Sequence, residues 1–106
     1  MNYRYMRVLV FFDLPVTTAA GKRNYIQFRK FLIKDGFFMM QESVYCKLAQ
    51  NSNAANAIID HIKRNKPAEG LVQALVITEK QYSNMEMIVG KKITDVVNTS
   101  ERLVVV

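Results

Sequence analysis

"MRVLVFFD", Met6 to Asp13, decides how the rest of the chain is read. Apart from Arg7 it is apolar up to Phe12, rich in β-branched and aromatic residues, and it ends on a carboxylate. A run of this kind predicts a central strand covered on both faces. A central strand needs partners, and the sequence downstream supplies them in a regular order.

From Thr17 to Asp35 the apolar spacing changes to that of a helix. Tyr25, Phe28 and Leu32 recur at helical intervals, Ile26 and Phe31 broaden the stripe, and Gly36 stands where a helix commonly stops. "FFMMQESVYCKLA", Phe37 to Ala49, is too long for one strand and is split by Gln41-Glu42-Ser43, which predicts a hairpin. A second helix opens at the cap-rich Asn51–Asn53, carries Ala54, Ala55, Ile58, Ile59 and Ile62, and closes before Pro67 and Gly70. Leu71 to Thr78 reads as another strand, Tyr82 to Val89 as a short helical turn, and "RLVVV" at 102–106 has strand composition.

Strand, helix, strand, strand, helix, strand is the order of an α+β, ferredoxin-like βαββαβ plait with an extra C-terminal strand, formed by a single domain over residues 1–106. Both helices then cover one sheet face. Phe11, Phe37, Met39 and Val76 are expected to leave the other face partly apolar, and a homodimer is the simplest cover for it. The terminal strand, about residues 101–106, is expected to pair with its own protomer, the other protomer or a partner.

Half of the 106 residues are hydrophobic and 23 % are charged, the balance of an ordered chain. The apolar runs are shorter than the roughly 20 residues of a membrane helix, and the N-terminus does not read as an export signal. One cysteine, Cys46, excludes an intrachain disulfide and suits a cytoplasmic location; inside "SVYCKL" it reads as a strand residue rather than a catalytic thiol. The formal net charge is +6, and residues 1–53 carry eight Lys or Arg against three acids. That asymmetry points to a polyanionic partner, most often nucleic acid, while the short apolar runs argue against a membrane partner.

The sequence has no glycine-rich phosphate loop, CxxC, HExxH or GxSxG. His61 has no second ligand four residues on, so it reads as a solvated or capping helix residue. Asp13 has two readings. It can cap the turn before Pro15, or it can ligate Mg²⁺, which wants near-octahedral oxygen coordination and more than one anchor, so that two copies would have to share the ion. On the first helix Arg23, Lys30 and Lys34 cluster opposite Phe28 and Leu32, with Lys22 and Arg29 flanking them. The alternatives are a solvated face and a ridge that grips a duplex backbone.

Three segments carry a family resemblance. "YRYMRVLVFFDLP" (Tyr3–Pro15), "RKFLIKDGFFMMQESVY" (Arg29–Tyr45) and "LVQALVITEKQY" (Leu71–Tyr82) resemble the second of the two core Cas adaptation proteins, in wording most similar to its type II versions. The strand-end Asp combined with Gly36, Gln41, Ser43, Val44 and Tyr45 is the most specific element. The resemblance implies a ferredoxin-like homodimer, described in the family as a metal-dependent endonuclease on RNA or double-stranded DNA. Asp13 is then the catalytic and metal-binding position, with one Mg²⁺ shared by the Asp13 of both protomers. It also implies a CRISPR adaptation subunit whose dimer bridges two dimers of the larger integrase subunit. The assembly holds double-stranded prespacer DNA for insertion into repeat-array DNA; the integrase performs the transesterification. Lys22, Arg23 and Lys30 match a region where relatives grip phosphates, and the C-terminal strand one where they dock a terminal strand or the integrase. Against the scaffold stand two other readings, a stand-alone Mg²⁺-dependent nuclease and a small-molecule regulatory dimer.

Overall fold

The computed structural model describes residues 5–90. Strands β1 (Met6–Asp13), β2 (Phe38–Gln41), β3 (Val44–Ala49) and β4 (Leu71–Thr78) form one antiparallel sheet in the order β2-β3-β1-β4. Helices α1 (Ala19–Lys34) and α2 (Ser52–Arg64) and a short α3 (Glu79–Ser83) complete the fold. This is the expected plait. The expected strand at 101–106 lies outside the described residues.

The parity of β1 sorts the molecule into layers, because successive strand residues point to opposite faces. Val8, Val10 and Phe12 enter the core with Phe28 and Leu32 of α1, Ala55 and Ile62 of α2, and Phe37, Tyr45 and Ala49. Arg7, Leu9, Phe11 and Asp13 therefore face the helix-free side. Pairing carries the same parity outward: Leu9 lies opposite both Cys46 and Leu75, and Phe11 opposite both Val44 and Gln73. Within the described residues α1 and α2 thus cover one face of β1, and only the short α3 reaches the other, where Glu79 and Tyr82 pack on Arg7.

Helix boundaries follow local chemistry. The Thr18 hydroxyl accepts from the Gly21 N–H at 2.9 Å, so Thr18 is the N-cap and α1 begins at Ala19, two residues after the expected Thr17. Asp35 caps its C-terminus and Gly36 turns the chain at φ +98°, a conformation open to glycine at little cost. Asn51 Oδ1 accepts from the Ala54 N–H at 2.8 Å and starts α2. The hairpin turns after Gln41, with a bulge between Met39 and Gln41. The turn expected over Tyr82–Val89 is instead α3 at Glu79–Ser83, started by a reciprocal Thr78–Gln81 capping box; residues 84–90 form no helix or strand.

Three residues expected on the open face are on the helix side. Phe37 is buried in the core, Met39 pairs with Tyr45, and Val76 pairs with Val8. Only Phe11 of the expected four faces the open side. Its actual apolar companions are Leu9, Phe38, Val44, Cys46, Leu48, Leu71, Leu75 and Ile77, by register. Ile26 is 49 % exposed, so it lies outside the buried stripe of α1 that it was expected to broaden.

The core holds one polar liability. Tyr45 is fully buried, its ring stacked on Phe12 with centroids 5.6 Å apart, and its hydroxyl has no hydrogen-bond partner among the described residues. An unpaired buried hydroxyl costs about 1–3 kcal/mol. Tyr45→Phe keeps the ring and removes the liability, so its urea-unfolding stability should equal or exceed wild type by up to about 1 kcal/mol. A loss of that size would show that the hydroxyl has a partner.

Candidate functional site

Asp13 is the last residue of β1, opposite Leu71, and its side chain is exposed on the helix-free side. A shallow depression beside it is lined by Phe11, Ser43, Val44, Leu71 and Gln73. Ser43, from the motif stretch, is tied there by its carbonyl, which accepts from the Phe12 N–H at 3.1 Å. Among the described residues the Asp13 carboxylate makes no hydrogen bond to a backbone N–H and no ion pair, so the capping bond does not form.

What the fold controls is the backbone around it. Gly70, at φ +98°, packs so closely that a Cβ would lie 2.6 Å from Leu14 Cδ2 and 2.9 Å from the Asp13 carbonyl oxygen. On the other side of the same loop, a Cβ on Gly21 would strike the Pro15 carbonyl. Two glycines thus brace the β1–α1 connection and leave the carboxylate open. Its hard oxygens suit Mg²⁺, but the described residues hold no cluster of three His, Cys, Asp or Glu. One carboxylate leaves the rest of an octahedral shell to water or substrate phosphate, and a second protein ligand would have to come from a second copy.

The basic residues occupy the opposite layer. Lys22 and Arg23 sit in the first turns of α1 just after the braced loop, and Lys30 lies about 10 Å further along the axis; all three are exposed. Arg29 and Lys34 share the helix, and no acid occurs from Leu14 to Lys34. None of these five cations forms an ion pair among the described residues. The structure therefore groups Lys22, Arg23 and Lys30 on one helix and sets Asp13 apart from them, at the sheet end.

A cluster on the open face was not foreseen. Arg7 clamps Glu79 bidentately, Nε to Oε1 at 2.6 Å and Nη2 to Oε2 at 3.0 Å, with its guanidinium 4.2 Å from the Tyr82 ring centre. Its Nη1 also lies 4.0 Å from Cys46 Sγ. The Arg7 guanidinium holds the Glu79 carboxyl below its ordinary range, and burial pushes the Cys46 thiol up. A buried, protonated thiol is a packing group, as expected for Cys46. The one sequence signal was an arginine inside an apolar strand, and its partner lies 72 residues away. His61 Nδ1 lies 3.0 Å from Asp35 Oδ1 and the ring meets Phe31 edge-on, which gives His61 a structural post at the C-terminal end of α1.

No helix of the described residues is long and apolar enough to cross a membrane. The family profile of CRISPR associated protein Cas2 matches residues 6–85. A CRISPR-associated endoribonuclease Cas2 from Treponema denticola is 56 % identical over 100 residues, covering 94 % of this chain and 99 % of that protein. Proteins of the same name from Ligilactobacillus salivarius and Streptococcus mutans are 43 % and 42 % identical. They cover 94 % and 93 % of this chain, and 99 % and 91 % of their own lengths.

Two outcomes follow from this geometry. Gly70→Ala should lower stability by about 1–3 kcal/mol in urea unfolding, because the methyl meets backbone and a strained φ together. The Arg7–Glu79 pair predicts an acid limb. Glu79's folded pKa is lowered, so its contribution is present above the unfolded value near 4.5 and is lost as pH falls through the folded one. Melting between pH 6 and 3 should therefore fall less steeply in Glu79→Gln than in wild type, an order-of-magnitude window about the carboxylate range.

Proposed function

The chain belongs to the CRISPR-associated Cas2 family, and from that premise we propose that it is the scaffold subunit of a spacer-adaptation complex. In this reading two copies associate through the helix-free sheet face and hold double-stranded prespacer DNA for insertion into the repeat array. The dimer bridges two dimers of the larger integrase subunit, which makes the new phosphodiester bonds. The carrying observation is the separation of chemistries: an apolar sheet face on one side and, on the other, an acid-free helix whose five cations form no ion pair among the described residues. Leu48, Leu71 and Leu75 are 45 %, 54 % and 50 % exposed on that sheet face, and a grouped apolar patch is where an interface is expected. Pairing two such faces leaves two basic ridges outward, Lys22, Arg23 and Lys30 on each, as a phosphate-tracking surface requires.

A second reading has its own support. The relatives are called endoribonucleases, and Asp13 lies on the side of the sheet that the dimer would cover. A two-fold axis near the strand end would bring two Asp13 carboxylates to one Mg²⁺. The ion would supply Lewis-acid charge neutralisation and an activated water for phosphodiester hydrolysis, while Asp13 anchors it.

The readings part on mutation. With the partner integrase present, Asp13→Ala should leave array expansion within about threefold of wild type, since a scaffold breaks no bond. Joint reversal of Lys22, Arg23 and Lys30 to Glu should abolish it and weaken duplex binding. The log–log salt slope of binding should flatten by about 0.9 for each phosphate that the variant no longer neutralises. If Asp13→Ala stops expansion while dimer and complex still assemble, the nuclease reading replaces the scaffold one.

A further inference from the structure

Helix α1 carries apolar surface that its own fold does not use. Ile26 and Ile33 are 49 % and 51 % exposed, seven residues apart on one side of the helix and away from the buried Phe28 and Leu32. β-Branched residues are stiff and slightly poor helix formers, so they gain little at these positions unless something covers them. Helical geometry sets them in a frame. At about 100° per residue, Lys22, Ile26, Arg29 and Ile33 fall within about 60° of one another, a seam about 16 Å long. Lys22 and Arg29 lie about 20–60° to one side of the isoleucines, and Lys30 and Arg23 about 40–80° to the other. All four cations are exposed and form no ion pair among the described residues.

The frame selects the occupant. A second copy of α1 would set cations against cations. A duplex backbone satisfies the cations, but its phosphates and sugars offer isoleucine no apolar pocket. An anionic lipid surface takes up a broad apolar face, and two half-exposed side chains between rows of charge are a narrow one. An apolar row bordered on both sides by positive charge is complementary to an apolar row bordered by negative charge. Residues at i, i+4, i+7 and i+11 present that pattern to another helix, which packs its own ridge along the seam.

We propose that α1 docks an acidic amphipathic helix of a partner protein. The partner's apolar residues cover Ile26 and Ile33, and its carboxylates meet Lys22, Arg29, Lys30 and Arg23. The docked helix excludes a duplex from the same cations. The docking stands on the geometry of α1, and the exclusion rests on the duplex-holding reading.

The full chain is titrated by fluorescence anisotropy with a labelled helical peptide of about 18 residues, its leucines at i, i+4, i+7 and i+11 and glutamates on both flanks. A control peptide carries glutamines in place of the leucines. Wild type should bind the leucine peptide about tenfold more tightly than the control, the worth of covering a pair of apolar side chains, and the bound peptide should release a labelled duplex. Ile26→Gln with Ile33→Gln keeps good helix formers at exposed positions. This variant should bind the two peptides alike while its far-UV spectrum and duplex affinity stay unchanged. Equal affinities in wild type, or a preference that survives in the folded variant, overturns the docking. So does a parallel loss of duplex affinity in the variant, which would make the isoleucines part of the duplex surface. Binding to phosphatidylserine vesicles that the variant loses would assign the face to a membrane and overturn it too. Duplex and leucine peptide bound together overturn the exclusion. If wild type binds no duplex, the duplex-holding reading fails alone, and the peptide titration still decides the docking.

Discussion

The pairing of β1 with β3 on one side and β4 on the other fixes what every other part of the molecule can do. Its register places Val8, Val10 and Phe12 under the helices and Arg7, Leu9, Phe11 and Asp13 on the free side. A slip of one residue would exchange the two sets. Arg7 and Asp13 would then sit beneath α1 and α2 without partners, at a cost of several kcal/mol for each stranded charge. Arg7 also confirms the correct register positively, because its grip on Glu79 forms only when Thr78 stands opposite Met6. Apolar parity and one ion pair therefore specify the same alignment.

That alignment divides the surface by chemistry. On the open side the one cation of β1 is neutralised by Glu79 and shielded by Tyr82, which leaves Asp13 at the strand end as the uncompensated charge of β1. On the helix side the cations of α1 remain in water, with no acid within the helix to offset them. Association through α1 would oppose many like charges, whereas association through the sheet buries apolar area at about 25 cal/mol per Å² and opposes only the Asp13 carboxylates at the strand end. The half-exposed Ile26 and Ile33 do not reverse this, because cations lie on both sides of them along the helix.

Much of this was legible in the sequence, and the rest was hidden for definite reasons. The element order followed from period alone: β1, α1, the hairpin, α2 and β4 each carry one clear pattern. The facing of β4 did not, because Leu71, Val72, Leu75, Val76 and Ile77 put apolar residues at both parities. Only pairing with β1 decides that Leu75 is outside and Val76 inside. Helix α3 was hidden because five residues are too few to show a helical period, and its capping box begins inside a strand-like run. Gly70 marked the end of α2 in sequence, but its packing against the Asp13 carbonyl depends on two segments meeting in space. Asp13 itself was legible as a strand-end carboxylate, and the Arg7–Glu79 clamp was not, since its two residues lie 72 positions apart.

The treatment of Asp13 separates a positioned ligand from a turn former. A capping aspartate spends its carboxylate on a local N–H and needs no special neighbours. Here the carboxylate makes no such bond among the described residues, while its backbone is braced where neither Gly21 nor Gly70 could carry a Cβ without a clash. Rigid main chain with an open side chain is the arrangement that an intermolecular ligand requires. A single carboxylate leaves most of an octahedral shell to water or substrate phosphate, so a second copy's carboxylate would strengthen any metal site at Asp13. The apolar face on the same side of the sheet is the surface through which the two copies would meet. Association and metal binding would then draw on one parity of β1, and duplex binding on the helices packed against the other. Mutations in α1 should for that reason be separable from mutations at the strand end.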